Sequence, residues 1–149
     1  MKAGDLAPEF ELPDETGTPR SLTGFLETGP VVLFFYPAAM TKGCTAESCH
    51  FRDLAAEFEA VKAHRVGISP DDVAKQKQFS ERHTFDFPLL SDTDGAVAQQ
   101  FGVRRSFGPL LTRRQTFVID TDRRVLEVVK SELRMAVHAD RALEVLRAR

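Results

Sequence analysis

Tryptophan is absent from the 149 residues, tyrosine occurs once and cysteine only twice. Two cysteines cannot build a disulfide-rich scaffold, and a chain of this length buries roughly 68–70% of its unfolded surface without a staple or structural metal. Neither sign of charge dominates: 20 Lys and Arg stand against 22 Asp and Glu, a net charge of -2, and the pI is about 6.1. That balance argues against nucleic acid or an anionic membrane surface as the partner, since both reward a basic face. Long apolar runs are missing too: Val31 to Met40 is half the roughly 20 residues of a membrane span and contains Pro37. The opening Met1-Lys2-Ala3-Gly4-Asp5 lacks the apolar stretch of a signal peptide, so the expected location is the cytoplasm. A reducing cytoplasm keeps both cysteines as thiols, and any disulfide between them is expected to be transient and functional.

What is present reads as alternating strands and helices in one domain over residues 1–149. Phe10-Glu11-Leu12 and Arg20-Ser21-Leu22, joined through Gly17, predict an N-terminal hairpin. Val31 to Tyr36 is continuously apolar, β-branched and aromatic between Pro30 and Pro37, the pattern of a central strand covered on both faces. Phe51, Leu54, Ala55, Phe58 and Val61 fall at helical spacing and predict one amphipathic helix that begins near Cys44. Next come a strand at Val66 to Ser69, a helix opened by Ser69-Pro70-Asp71-Asp72 and running towards Thr84, a short strand at Leu89 to Ser91 and a short helix at Ala96 to Phe101. Arg104 to Thr112 reads as a loop, Thr116 to Asp120 and Val125 to Val129 as a hairpin, and Ala139 to Leu146 as a closing helix. The fold class is therefore α/β, with a central mixed sheet flanked by helices.

The chemistry concentrates between the central strand and the first long helix. A loop leaving the C-terminal edge of an open sheet leads into free helix N–H groups and the positive end of the dipole, which favour an anion. Cys44 stands there after Gly43. A thiol at a helix N-terminus beside a cation can fall from ~8.5 to about 3.5–7.5, which makes Cys44 a candidate nucleophile; the alternative is a buried, inert cysteine. Cys49 lies five positions later. On an ideal helix the two Cα atoms lie roughly 8.6 Å apart, beyond the roughly 7 Å limit of a disulfide, so a bond between them requires the first turns to unwind. Otherwise Cys49 is a core position.

Pro37-x-x-x-Thr41-x-x-Cys44 resembles the active-site signature of the peroxiredoxins. The stretch from Phe35 to Asp53 is similar to the bacterioferritin-comigratory-protein branch, also called peroxiredoxin Q, and the likeness extends through Phe87-Pro88-Leu89-Leu90-Ser91-Asp92 and Arg114-Gln115-Thr116-Phe117-Val118-Ile119-Asp120. This resemblance implies a thioredoxin-like fold and a thiol peroxidase that reduces hydrogen peroxide or organic hydroperoxides without a cofactor. It implies Cys44 as the peroxidatic cysteine, Thr41 orienting peroxide and thiolate, Pro37 shielding the pocket, and Arg114 stabilising thiolate and transition state. Glu47 would hold the arginine, or would simply favour the helix dipole in the first turn. Arg113 is adjacent to Arg114, and strand alternation sends the two to opposite faces; the Arg-x-Thr-Phe spacing selects Arg114. Cys49 matches the resolving cysteine of the branch, so that peroxide makes a Cys44 sulfenic acid, Cys49 condenses with it, and thioredoxin or a related dithiol restores both thiols. The branch tilts towards a monomer, with a weak dimer as the alternative. One departure is Thr41-Lys42-Gly43-Cys44 where the family usually has Thr-Pro-Gly-Cys: Lys42 either adds positive potential near the thiolate or points into solvent.

Other signals carry less. Cys44, Cys49 and His50 have no second ligand pair at metal-like spacing, so no metal is expected, and Asp92-Thr93-Asp94-Gly95 reads as a turn. His64, His83 and His138 are expected at the surface, and the three arginine pairs, 104–105, 113–114 and 123–124, as solvated charges. Phe107 would border a substrate entrance or a partner surface. Two competing functions remain: a thioredoxin-like protein disulfide oxidoreductase, which normally carries Cys-x-x-Cys, and a non-enzymatic redox-sensing or chaperone domain.

Overall fold

The computed structural model describes residues 1–108 and 110–149. Strands β1 (Glu11–Pro13) and β2 (Pro19–Ser21) form the expected hairpin, with Gly17 at φ +82° in its turn. The short helix α1 (Leu22–Leu26) comes directly after, its N-terminus capped by the Ser21 hydroxyl, which accepts from the Gly24 amide. No sequence pattern announces this helix, because a single turn and a half leaves too little periodicity to read. Strand β3 (Val31–Phe35) is buried along its whole length. Helices α2 (Lys42–Asp53) and α3 (Ala55–Ala60) precede strand β4 (His64–Ser69). Then come α4 (Val73–His83), β5 (Leu89–Ser91), α5 (Ala96–Gln100), β6 (Gln115–Ile119), β7 (Val125–Lys130) and α6 (Met135–Arg147).

The remaining five strands make one mixed sheet in the order β5-β4-β3-β6-β7, with β3 parallel to β4 and antiparallel to β6. Side chains alternate across β3. Val31, Leu33 and Phe35 join a core with Leu22, Phe25, Val97 and Phe101 of α1 and the α5 region. Val32 and Phe34 point the other way, into a core with Cys44, Phe51, Phe58, Phe79, Ala139 and Leu143 of the remaining helices. Both faces of the sheet are thus covered, as the unbroken apolar run of β3 requires.

The helix expected to run unbroken through Phe51 and Val61 is interrupted at Leu54. Arg65 Nη1 donates to the Phe51 carbonyl at 2.9 Å, the acceptor an uninterrupted helix would offer to the Ala55 amide. The break redirects the chain so that Phe51 and Phe58 meet at 5.7 Å between ring centroids. The loop at 104–112 is pinched by a bridge between Arg104 and Thr112. Helix α6 begins four residues earlier than its apolar pattern suggests, and the histidine this adds, His138, is buried and not at the surface.

Strand register determines where the functional loops emerge. Phe35 pairs with Ile68 on β4 and with Gln115 on β6. The carboxyl ends of β3 and β4 and the amino end of β6 therefore open at one edge of the sheet.

Candidate active site

The chain leaves β3 through Tyr36 and the buried Pro37, passes Met40 in the left-handed region at φ +67°, and enters α2 at Thr41. The segment is pinned from β4: the Ala39 amide donates to Asp71 Oδ2 at 2.7 Å, and the Ser69 hydroxyl donates to the same oxygen at 2.7 Å. Beneath it, the Tyr36 hydroxyl donates to Gln76 Oε1 at 2.6 Å, and Gln76 Nε2 donates to Ser69 Oγ at 2.9 Å. Burial pushes the Tyr36 phenol well above its ordinary range, so it serves as a neutral donor.

Thr41 is the N-cap of α2, yet its hydroxyl donates to the Ala38 carbonyl at 2.7 Å and caps no amide of the helix. The first turn consequently keeps its N–H groups without a side-chain cap, at the dipole's positive end. Cys44 sits in that turn with no solvent exposure. Arg114, immediately before β6, reaches over the sheet edge and donates from Nη2 to Cys44 Sγ at 3.2 Å and from Nη1 to Glu47 Oε1 at 2.7 Å. Gly43 makes room for it: a Cβ there would lie 3.3 Å from Arg114 Nη2 and 3.4 Å from Met135 Cε. Burial works against the Arg114 charge, but Glu47 and Cys44 overcome it and hold the guanidinium protonated.

Glu47 is entirely buried, and burial pushes its carboxyl up to about 7 against the pull of Arg114. Its Oε2 has no hydrogen-bond partner and faces His138 Nδ1 at 3.5 Å. His138 Nε2 donates to the Ser131 carbonyl at 2.8 Å, and its Nδ1 lies 2.8 Å from Thr116 Oγ1. The Arg114 backbone amide donates to Glu132 Oε1, which also receives Arg105 Nη2 at 2.7 Å.

Of the residues singled out from sequence, Cys44, Arg114 and Glu47 converge in one contact chain, with Pro37 and Thr41 on the loop beside it. Cys49 is a free, half-buried thiol further along α2, raised from its ordinary pKa by burial. Lys42, Arg113 and Phe107 are exposed, Phe107 at 85%. Sequence reasoning misses His138, Thr116 and Asp71. A signal for the first exists: His138, Ala142 and Leu146 recur at helical spacing on the apolar face of α6. Thr116 can be placed by alternation with the buried Val118. No group of three or more His, Cys, Asp or Glu residues among the described residues could hold a metal ion.

The AhpC/TSA family matches residues 3–128. Peroxiredoxin Bcp of Escherichia coli is 40% identical, over 99% of this chain and 96% of its own. The crystal structure of peroxidoxin BcpB from Mycobacterium tuberculosis superposes with a TM-score of 0.96 at 62% identity, covering 99% of this chain and 97% of that one. The bacterioferritin comigratory protein of Xanthomonas campestris, described for its alkyl peroxide reduction activity from trapped intermediate and ligand complexes, has a TM-score of 0.83 at 32% identity, covering 93% of this chain and 90% of that one.

Proposed function

The chain belongs to the AhpC/TSA family and is a thiol-dependent peroxidase with a thioredoxin-like fold, and from that premise we propose that Cys44 is its nucleophile and Cys49 its resolving thiol. The Cys44 thiolate attacks one peroxide oxygen, the O–O bond breaks with its electron pair, and the second oxygen departs as hydroxide or alkoxide and takes up a proton. Cys44 becomes a sulfenic acid. Cys49 then gives up its proton and attacks that sulfur, hydroxide leaves and takes up a proton to become water, and an intramolecular disulfide remains. An external dithiol of the thioredoxin type, itself oxidised to a disulfide, returns both thiols. We assign this cycle to the cytoplasm, and to a monomer, the state towards which the branch resemblance tilts.

The carrying observation is the 3.2 Å contact between Arg114 Nη2 and Cys44 Sγ at the uncapped first turn of α2. A fixed guanidinium and helix N–H groups lie where negative charge sits before attack and where it moves as the O–O bond breaks. The resemblance assigns Pro37, buried on the loop, to shielding the pocket and Thr41 to orienting the peroxide, while Glu47 holds the far side of the guanidinium. The five-residue spacing of Cys44 and Cys49 departs from the Cys-x-x-Cys of protein disulfide oxidoreductases.

Stopped-flow mixing with hydrogen peroxide tests the assignment. Cys44→Ser is expected to abolish consumption. Cys49→Ser is expected to react once and then stall, and mass analysis of the parent protein should find a Cys44 to Cys49 bond. Multiple turnover by Cys44→Ser would refute the reading.

A further inference from the structure

The buried groups behind Arg114 do not balance as drawn by their hydrogen bonds. The Ser131 carbonyl can only accept, so His138 Nε2 carries a proton. If the ring is neutral, Nδ1 is then a lone pair, satisfied by the Thr116 hydroxyl. That lone pair lies 3.5 Å from Glu47 Oε2, a buried oxygen with no donor. Two acceptors would face each other in the interior, and a thiolate, a guanidinium and a carboxylate would leave the cluster with a net negative charge away from water. Both conditions are costly. One proton between Glu47 and His138 removes them together. On the ring it makes Nδ1 a donor to Thr116 beside an anionic Oε2; on the carboxyl it gives Oε2 a proton to direct at Nδ1. Either arrangement brings the thiolate, Arg114 and the pair to zero charge.

We propose that His138 is a positioning residue of the peroxidase: it shares one proton with Glu47, and the neutral pair leaves the charge of Arg114 to the Cys44 thiolate. The inference rests on Cys44 being the peroxidatic thiol. The charged and titratable groups around the pair are Cys44 and Glu47 on α2, Arg114 before β6, and Glu132, with its partner Arg105, at the approach to α6. Glu132 is half-exposed and already committed to Arg105 and the Arg114 amide. The shared proton therefore belongs to the Glu47–His138 pair.

Two measurements test this on the reduced protein. In the first, ¹⁵N spectra of the His138 ring are recorded against pH in the parent and in Glu47→Gln. Release of one proton with a midpoint that moves when Glu47 is replaced supports a shared proton; a His138 signal indifferent to Glu47→Gln overturns it. In the second, the rate of Cys44 oxidation by hydrogen peroxide is measured across pH for His138→Leu and His138→Asn. The leucine variant is expected to lose about tenfold in rate, as misplacement of a charge one contact away does. The asparagine variant keeps a polar atom near Nδ1 and should recover most of that rate, but in both variants the ionisation step that the pair contributes to the parent profile should move, because Glu47 then titrates without the ring. A step whose midpoint is unmoved in His138→Asn refutes the proposal even if His138→Leu fails to fold. A parent protein inert to peroxide would instead remove the functional reading, and the ¹⁵N titration would still decide the shared proton.

Discussion

At the scale of single residues, Arg114 divides one guanidinium between a sulfur and a carboxylate, and each contact has its own cost of loss. Arg114→Met removes the donor nearest the reacting atom, and the rate of Cys44 oxidation is expected to fall by roughly 10²–10³. It also leaves Glu47 buried without its cation, which typically destabilises by about 3–5 kcal/mol; urea unfolding should show a larger loss at about pH 8 than at about pH 6. Glu47 itself ties stability to pH. Its carboxyl titrates near 4.5 when unfolded and about 7 when folded. Between those values the native state keeps a proton that the unfolded chain has released, so stability declines as pH rises through the window. The full penalty above it is on the order of 3 kcal/mol. Glu47→Gln retains an acceptor for Arg114 and should flatten this part of the profile in a urea series across pH.

At the scale of elements, the loop from Pro37 to Thr41 owes its shape to β4 as much as to its own sequence. Asp71→Ala would strand the Ala39 amide and the Ser69 hydroxyl, costing about 1–3 kcal/mol. Faster amide exchange at Ala39 and slower oxidation of Cys44 are expected together, the latter because Thr41 and the start of α2 lose their anchor. The strands are legible in the sequence because the β-branched and aromatic run of β3 can only be satisfied by burial on both faces, and the helical stretch from Cys44 onward is legible because Phe51, Leu54, Ala55, Phe58 and Val61 recur at helical spacing. The break at Leu54 is not legible, since it depends on Arg65 arriving from β4 to take the Phe51 carbonyl, and no local propensity encodes that. The burial of His138 escapes the sequence for a related reason. A histidine is ordinarily read as a surface residue, and only the Ser131 carbonyl and the Thr116 hydroxyl, which the fold brings to its two ring nitrogens, make its burial tolerable.

At the scale of the whole molecule, the two cores on either side of the sheet have separate duties. One contains Cys44 and the aromatic cluster of Phe34, Phe51 and Phe87, in which Phe34 stacks on Phe51 with centroids 4.2 Å apart. The other holds the hairpin, α1 and α5 and contains no cysteine. Gly67 on β4 lies under the first core, where a Cβ would meet Leu89 Cδ2 at 2.8 Å and Phe34 Cζ at 2.9 Å. Gly67→Ala is expected to cost about 1–3 kcal/mol in urea denaturation by overpacking, with little change in the chemical step. In the proposed cycle the sulfur pair requires a larger movement, because a Cys44 to Cys49 bond would dismantle the first turns of α2 on every turnover. The Arg65 contact with Phe51 sets a limit to that damage. It ends the ladder of α2 before α3 begins, so unravelling has a defined far boundary and the aromatic floor beneath stays seated. Oxidation and repair in that proposed cycle would thus wear one short, replaceable-in-place segment while the chassis that must guide it back remains whole.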